Sequence, residues 1–205
     1  MLSGVVLAGG MGSRIGGDKG LVDLVDTPMV VHVVDALSTV ADDITVSVGG
    51  GCAPAYQGAL GTRVRTVEDR AAGRGPLEGL CNGFAVARGT YVAVVPCDVP
   101  LLRPEVLRLL ADRAVGRDGA VPVVRGYLEP LVAVYGRDAG LRGFSEELET
   151  GRGKVTNALA RMEIVRVEED DLRVVDGRLQ SFWNVNSKED LMKAEELVRR
   201  WSRHH

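Results

Sequence analysis

Short continuous apolar runs rich in Val and Ile alternate in this chain with segments whose apolar residues recur at helical spacing. A run that is apolar at consecutive positions suits a strand buried on both faces, and such burial requires helices above and below the sheet. Repeated along one chain, the pattern specifies an α/β architecture. Gly4 to Leu7 is predicted as the first strand, followed by a loop from Ala8 to Gly20 that holds six glycines. A helix follows, with Thr27 as N-cap, Pro28 at its first position and an apolar stripe of Met29, Val30, Val33, Val34, Leu37 and Val40.

Ile44 to Val48 and Val64 to Val67 read as strands, with Gly49-Gly50-Gly51 punctuating the loop between them. Leu77 to Arg88 reads as a helix, Tyr91 to Val95 as a strand running into Pro-Cys-Asp-Val-Pro, and Pro104 to Ala114 as a helix. Val121 to Val124 and Pro130 to Tyr135 are further predicted strands, and Leu141 to Leu148 and Val155 to Arg161 further helices. Asp176-Gly177 signals a hairpin between Leu172–Val175 and Arg178–Ser181. A last strand, Phe182 to Val185, leads to a helix from Ser187, with Asp190 at the capping-box position and i,i+4 pairs Glu189–Lys193, Glu195–Arg199 and Glu196–Arg200.

Composition narrows the function classes. With 205 residues, 45% hydrophobic, 26% charged and a net charge of -3, the chain is expected to fold as one domain over residues 1–203. His204 and His205 stand apart from the site argument. No apolar run approaches the ~20 residues of a membrane span, and Met1 to Gly10 lacks the length and basic start of a signal peptide. A soluble, cytoplasmic protein with no membrane partner is expected. Cys52, Cys81 and Cys97 are widely spaced and form no C-x-x-C pair, which fits a reducing compartment. The near-neutral charge, without a basic block, argues against nucleic acid as a partner.

The segment LAGGMGSRIGGDKG follows a strand, where open α/β sheets place their ligands. A dinucleotide fingerprint starting at Gly10 needs Gly or Ala at position 15, where Ile15 stands. A Walker A loop from Gly12 to Gly17 needs Lys and then Ser or Thr, and Asp18, Lys19 and Gly20 follow instead. Phosphate chemistry is still implied, because glycines let backbone N–H groups converge on an anion while Arg14 and Lys19 add cationic donors. Asp98 ends a buried strand at the same sheet edge, and a lone carboxylate facing a phosphate loop suits Mg²⁺. The plain alternative for Asp98 is a turn residue ahead of Pro100.

The pattern L-A-G-G-x-x-x-R-x-G-x-D-K from Leu7 to Lys19 resembles the opening loop of nucleotidyltransferases such as the molybdenum cofactor guanylyltransferases, the MobA proteins. Val67-Glu68-Asp69, Gly75-Pro76-Leu77-Glu78-Gly79, Cys97-Asp98-Val99-Pro100-Leu101, Glu129-Pro130-Leu131 and Asn184-Val185-Asn186 follow in that family's order. The resemblance implies a three-layer α/β/α, Rossmann-like nucleotidyltransferase domain with a mostly parallel mixed sheet. It also implies GMP transfer from GTP to the terminal phosphate of molybdopterin, with Mg²⁺ as cofactor and release of pyrophosphate. Arg14, Lys19 and Asp98 are the implied catalytic residues, with Asp98 also the metal ligand. Leu7, Ala8, Gly9, Gly10, Asp69, Gly75, Gly79, Asn184 and Asn186 join them in binding.

GTP and molybdopterin are the implied small-molecule partners, with molybdoenzymes or their chaperones as candidate recipients of the product. Relatives often carry an Asn after the second strand, where this chain has Val48-Gly49-Gly50. Asn184 and Asn186 are predicted to share one face of a strand. Cys97 is expected to be a buried structural thiol and His32 a structural residue. Arg152-Gly153-Lys154, just before a predicted helix, is the expected contact for the acceptor. Enzymes acting on cobinamide phosphate or phospholactate, cytidylyltransferases, and a GTP-binding module without turnover remain the alternatives.

Overall fold

The computed structural model describes residues 1–9, 18–69, 75–151 and 153–201. Its centre is a sheet of eight strands: β1 (Leu2–Ala8), β2 (Asp43–Val48), β3 (Arg65–Glu68), β4 (Tyr91–Pro96), β5 (Gly119–Val124), β6 (Tyr127–Leu128), β7 (Ala133–Gly136) and β8 (Ile164–Val167). The order across the sheet is β3-β2-β1-β4-β7-β5-β6, with β8 on β5. β1, β2, β3 and β4 are mutually parallel, β7 runs against both β4 and β5, and β8 is parallel to β5. The sheet is therefore mixed and mostly parallel, as the family resemblance implies.

Alternation along β1 builds both cores. Val6 and Ala8 face one layer, made by α1 (Met29–Ser38), α2 (Ala53–Leu60), α4 (Pro104–Ala114) and α7 (Glu169–Val175). Val5 and Leu7 face the other, made by α3 (Pro76–Val86), α5 (Arg137–Glu149) and α6 (Val155–Leu159). α8 (Lys188–Trp201) closes the chain, its Ala194 packed with Leu24, Met29 and Val185. Close approach of α3 depends on missing side chains: a Cβ on Gly83 would lie 2.6 Å from Val5 Cγ1, and one on Gly79 would lie 3.0 Å from Leu7 Cδ2.

The strongly periodic elements match expectation. α4 occupies Pro104–Ala114, and the stripe Met29, Val30, Val33, Val34 and Leu37 is buried. The Ser187 hydroxyl accepts the Asp190 N–H at 3.1 Å while the Asp190 carboxylate accepts the Ser187 N–H at 3.0 Å, so the capping box forms. Lys193 closes onto Glu189 at 2.7 Å.

Several expectations are corrected. α1 begins at Met29, with Pro28 rather than Thr27 at the cap position and no side-chain cap. The strand expected from Pro130 starts only at Ala133, because the prolyl nitrogen has no N–H for the ladder and Val132 N–H turns back to Glu129 O at 3.3 Å. Leu172 to Val175 is the end of helix α7, whose first turn carries Glu169, Asp170 and Asp171 at the positive end of the helix. Asp176 is no hairpin corner: its buried carboxylate accepts Ser181 N–H at 2.8 Å and faces Arg103 at 3.7 Å. Phe182 to Val185 forms no strand, since a short 3-10 turn covers Gln180–Phe182 and Val185 N–H makes one bond, to Asp98 O at 2.8 Å. α2, β6 and β8 went unread in the sequence.

Candidate active site

β1 and β4 lie side by side in parallel register, with Leu7 opposite Pro96, and their carboxyl ends open onto a cleft of about 320 Å³. Leu7, Ala8 and Gly9 form its floor, Gly75, Pro76 and Gly79 bring the start of α3 to one side, and Lys19, Asp69 and Asp98 stand around it. Eight of the binding residues implied by the resemblance thus converge on one place. Gly10, Arg14 and Arg152 lie outside the described residues. Asn186 reaches the site, whereas Asn184 is exposed and does not line the cleft; without a strand, the two do not share a face.

At one end of the cleft Lys19 Nζ donates to Asp98 Oδ2 at 3.0 Å and also to Asn186 Oδ1. Both charged side chains are about four-fifths buried, with 20% and 18% of their surface exposed, so solvent screens the pair only partly. Asp98 is held through its backbone, between Cys97 N–H on Leu7 O at 2.9 Å and Val185 N–H on its own carbonyl. Lys19 opens a 3-10 turn capped by Asp18, whose carboxylate accepts Gly20 N–H at 3.2 Å and the hydroxyl of buried Tyr56. A Cβ at Gly20 would collide with that hydroxyl, which explains the glycine after Lys19.

At the other end Asp69 Oδ1 accepts from Ser47 Oγ at 3.1 Å and Asn82 Nδ2 at 3.3 Å. The remaining oxygen, Oδ2, faces Gly9, where an added Cβ would stand 2.8 Å away. Burial raises the Asp69 pKa above the ordinary carboxylate value; the bonds from Ser47 and Asn82 lower it, and nearby Glu78 raises it further. Gly75 sits at φ +69 and ψ -163, a conformation that side chains effectively forbid, and it aims α3 at the cleft. Cys97 is buried and its thiol is pushed up by desolvation, so it stays protonated and structural as expected. His32 Nε2 pairs with Leu24 O at 2.9 Å, also a structural role.

The donor set fits a small hard cation. Among the described residues no group of three or more His, Cys, Asp or Glu side chains gathers around one point, which excludes an all-protein cage there. Asp98 Oδ2 and Asn186 Oδ1 nevertheless converge on one ammonium, and Mg²⁺ takes few protein oxygens and completes its shell with phosphate and water.

Sequence reasoning missed Ser47, Tyr56 and Asn82, and gave Asp18 no role although it stands in the opening motif. Ser47 left a signal: it interrupts an apolar strand on the face shared with Thr45, where Ile44, Val46 and Val48 point the other way. Asn82 stands three residues after Gly79, hence on the same side of α3. Tyr56 left none, because its helix went unread.

A family model described as MobA-like NTP transferase domain matches residues 4–165. A protein of Natronomonas pharaonis named probable molybdenum cofactor guanylyltransferase is 34% identical, over 96% of this chain and 98% of that one. Another of the same name, from Pelotomaculum thermopropionicum, is 33% identical over 96% and 93%. The crystal structure of molybdopterin-guanine dinucleotide biosynthesis protein A from Archaeoglobus fulgidus superposes with a TM-score of 0.80 at 28% identity, covering 97% of this chain and 99% of that one.

Proposed function

The chain belongs to the MobA-like NTP transferase family, and from that premise we propose that it transfers GMP from GTP to the phosphate of molybdopterin and releases pyrophosphate. The observation that carries this reading is the contact of Lys19 with Asp98 and Asn186 at the end of a cleft whose far end holds Asp69. A nucleoside triphosphate laid along the cleft puts its phosphates at the Lys19 end and its nucleoside over Leu7, Ala8 and Gly9.

The acceptor, a phosphate monoester with a second pKa of ~6, is substantially dianionic at pH 7 and attacks the α-phosphorus without a general base. That accounts for a cleft lined by no histidine among the described residues. The barrier is the meeting of two polyanions, and this chain lowers it by position and charge. Lys19 turns its ammonium from Asp98 to phosphate oxygens. Arg14, by its place in the opening motif, adds a second cation. Asp98 and Asn186 would hold Mg²⁺, which supplies Lewis-acid neutralisation of phosphate charge when bound. Asp69 accepts donors of the nucleoside. Residues 1–203 serve as one domain, and the free thiols of Cys52, Cys81 and Cys97 suit a reducing, cytoplasmic setting. Among the described residues no helix is long and apolar enough to cross a membrane.

The test is pyrophosphate release by purified protein with Mg²⁺, molybdopterin and each of four nucleoside triphosphates. Release with GTP well above ATP, CTP and UTP is expected. Preference for CTP would overturn the guanylyl assignment, and GTP binding without any release would leave a binding module.

A further inference from the structure

β5 runs parallel to β1 and β4, so its carboxyl end lies on the same edge of the sheet as the active cleft, two strands or about 10 Å further along. A second and larger cavity, about 700 Å³, opens there between the β5–β6 hairpin and the segment after α7. Tyr127 and Trp183 bring aromatic rings to it, Arg125 and Arg178 bring guanidinium groups, and Glu129 brings a carboxylate. This is the composition of a site for a flat anion: rings to stack on, cations for its charge, and one acceptor for its edge.

Three observations tie this cavity to a ligand of the same reaction. Trp183 is two residues ahead of Val185, which is bonded to Asp98 O, and three ahead of Asn186, which is bonded to Lys19. At ~3.3 Å per extended residue, its wall ends about 7–10 Å from the phosphate-handling groups. The Glu129 carboxyl is partly withdrawn from water, which pushes its pKa up despite the opposing influence of Arg125, so it gains from a ligand N–H donor. Arg178 is exposed and enters no ion pair among the described residues. The backbone is also unusual: Arg125 and Leu179, both lining the cavity, are two of the four described non-glycine residues with positive φ, at 52° and 53°. Such conformations cost energy and persist where surrounding structure holds them.

We propose that this cavity is the acceptor pocket, where Tyr127 and Trp183 stack on a fused heteroaromatic ring and Glu129 accepts from its amino-pyrimidinone edge. The proposal rests on the guanylyl-transfer reading above. Arg178 and Arg125 neutralise the acceptor's charge, and its phosphate extends along residues 183–186 to Lys19. Lys154, the expected contact, does not line this cavity; it precedes α6, which packs on the opposite side of the sheet from α7.

The chain has two tryptophans, so Trp201→Phe leaves Trp183 as its only indole. Titration of that variant with 6-hydroxymethylpterin phosphate should quench Trp183 fluorescence saturably. Glu129→Gln in the same background should weaken binding roughly tenfold or more, the scale of a hydrogen bond to a charged group. Lys154→Ala should leave it unchanged. GTP affinity, read by calorimetry, should stay constant throughout. Absent quenching, or equal affinity in the Glu129→Gln protein, would overturn the pocket assignment. Dinucleotide synthesis from GTP and molybdopterin, measured in parallel, separates the two ideas. If wild-type protein makes the product and Glu129→Gln and Arg178→Ala keep the acceptor KM, the pocket is wrong and the function stands. If wild-type protein makes no product yet binds the pterin through Glu129, the pocket stands and the function is wrong.

Discussion

At the residue scale the site is a small set of charges held by neighbouring side chains, Lys19 by Asp98 and Asn186 and Asp69 by Ser47 and Asn82. Lys19→Ala removes the ammonium that meets Asp98 and Asn186; in the proposed reaction that ammonium serves phosphate, so turnover should fall on the order of 10²-fold with the fold intact. Asp98→Asn keeps the shape but removes the charge, so Mg²⁺ dependence should weaken with turnover; unchanged activity would make Asp98 a turn residue. Asp69 makes a subtler case. Ser47 and Asn82 both donate to Oδ1, which leaves Oδ2 directed at Gly9 and the cleft. Burial raises the Asp69 pKa, so in the folded state it takes up a proton at a higher pH than an exposed carboxyl. Its contribution to stability is therefore present at low pH and lost as pH rises through the raised value, while the nucleotide binding proposed for the anion has the opposite trend. The KM for GTP should rise as pH falls through that raised pKa. Ser47→Ala with Asn82→Ala deletes the two bonds that favour the anion, so this acid limb should move to higher pH. A pH profile identical to wild type would mean that the pair merely packs.

At the scale of elements, the informative case is α2. It had no strong apolar stripe to announce it, and only Tyr56 and Leu60 of its eight residues are buried. Yet Tyr56 reaches across to Asp18 and steadies the turn that carries Lys19. Tyr56→Phe should keep the packing and lose that bond, lowering kcat about 5–10-fold, the range of one ~1 kcal/mol hydrogen bond. Steady-state kinetics beside an unchanged melting curve would establish it, and full activity would show that Asp18 needs no such support. α8 was legible in advance because its capping box is local, with Ser187 and Asp190 only three residues apart. The cap also fixes the chain just after Asn186, whose N–H donates to Asp190 at 3.1 Å. Ser187→Ala should cost about 1 kcal/mol of stability, measured by denaturant unfolding.

At the scale of the whole molecule, the two faces of the sheet do different work. Phe84 from α3, Tyr135 from β7 and Phe144 from α5 meet with ring centroids 5.3–6.4 Å apart and lock one helical layer to the sheet. Phe144→Ala should cost about 3–5 kcal/mol and lower the melting temperature on the order of 10 °C. GTP affinity below that melting point should survive, since the cleft is built from the ends of β1 to β4 and the start of α3. Loss of GTP binding in the folded variant would show that the aromatic cluster shapes the site directly.

Much of this protein was readable before its structure. Buried strands such as Val92 to Val95 are apolar at successive positions, α4 and α8 carry their start signals within four residues, and the opening loop bears its chemistry in a contiguous motif. Local steric and hydrogen-bonding rules act over such short distances that sequence reports them. Tertiary structure alone decided the rest. The contacts of Lys19 with Asn186, of Asp69 with Ser47 and Asn82, and of Tyr56 with Asp18 span 167, 22, 13 and 38 positions. No local rule links residues so far apart. Likewise Leu172 to Val175 and Asp176-Gly177 read as a strand and hairpin corner until burial of the Asp176 carboxylate against Ser181 and Arg103 imposed a different path. Sequence determined which charged and polar side chains the chain carries and which of them sit beside glycines or strand ends; the order in which the sheet stacks its strands determined which of them meet.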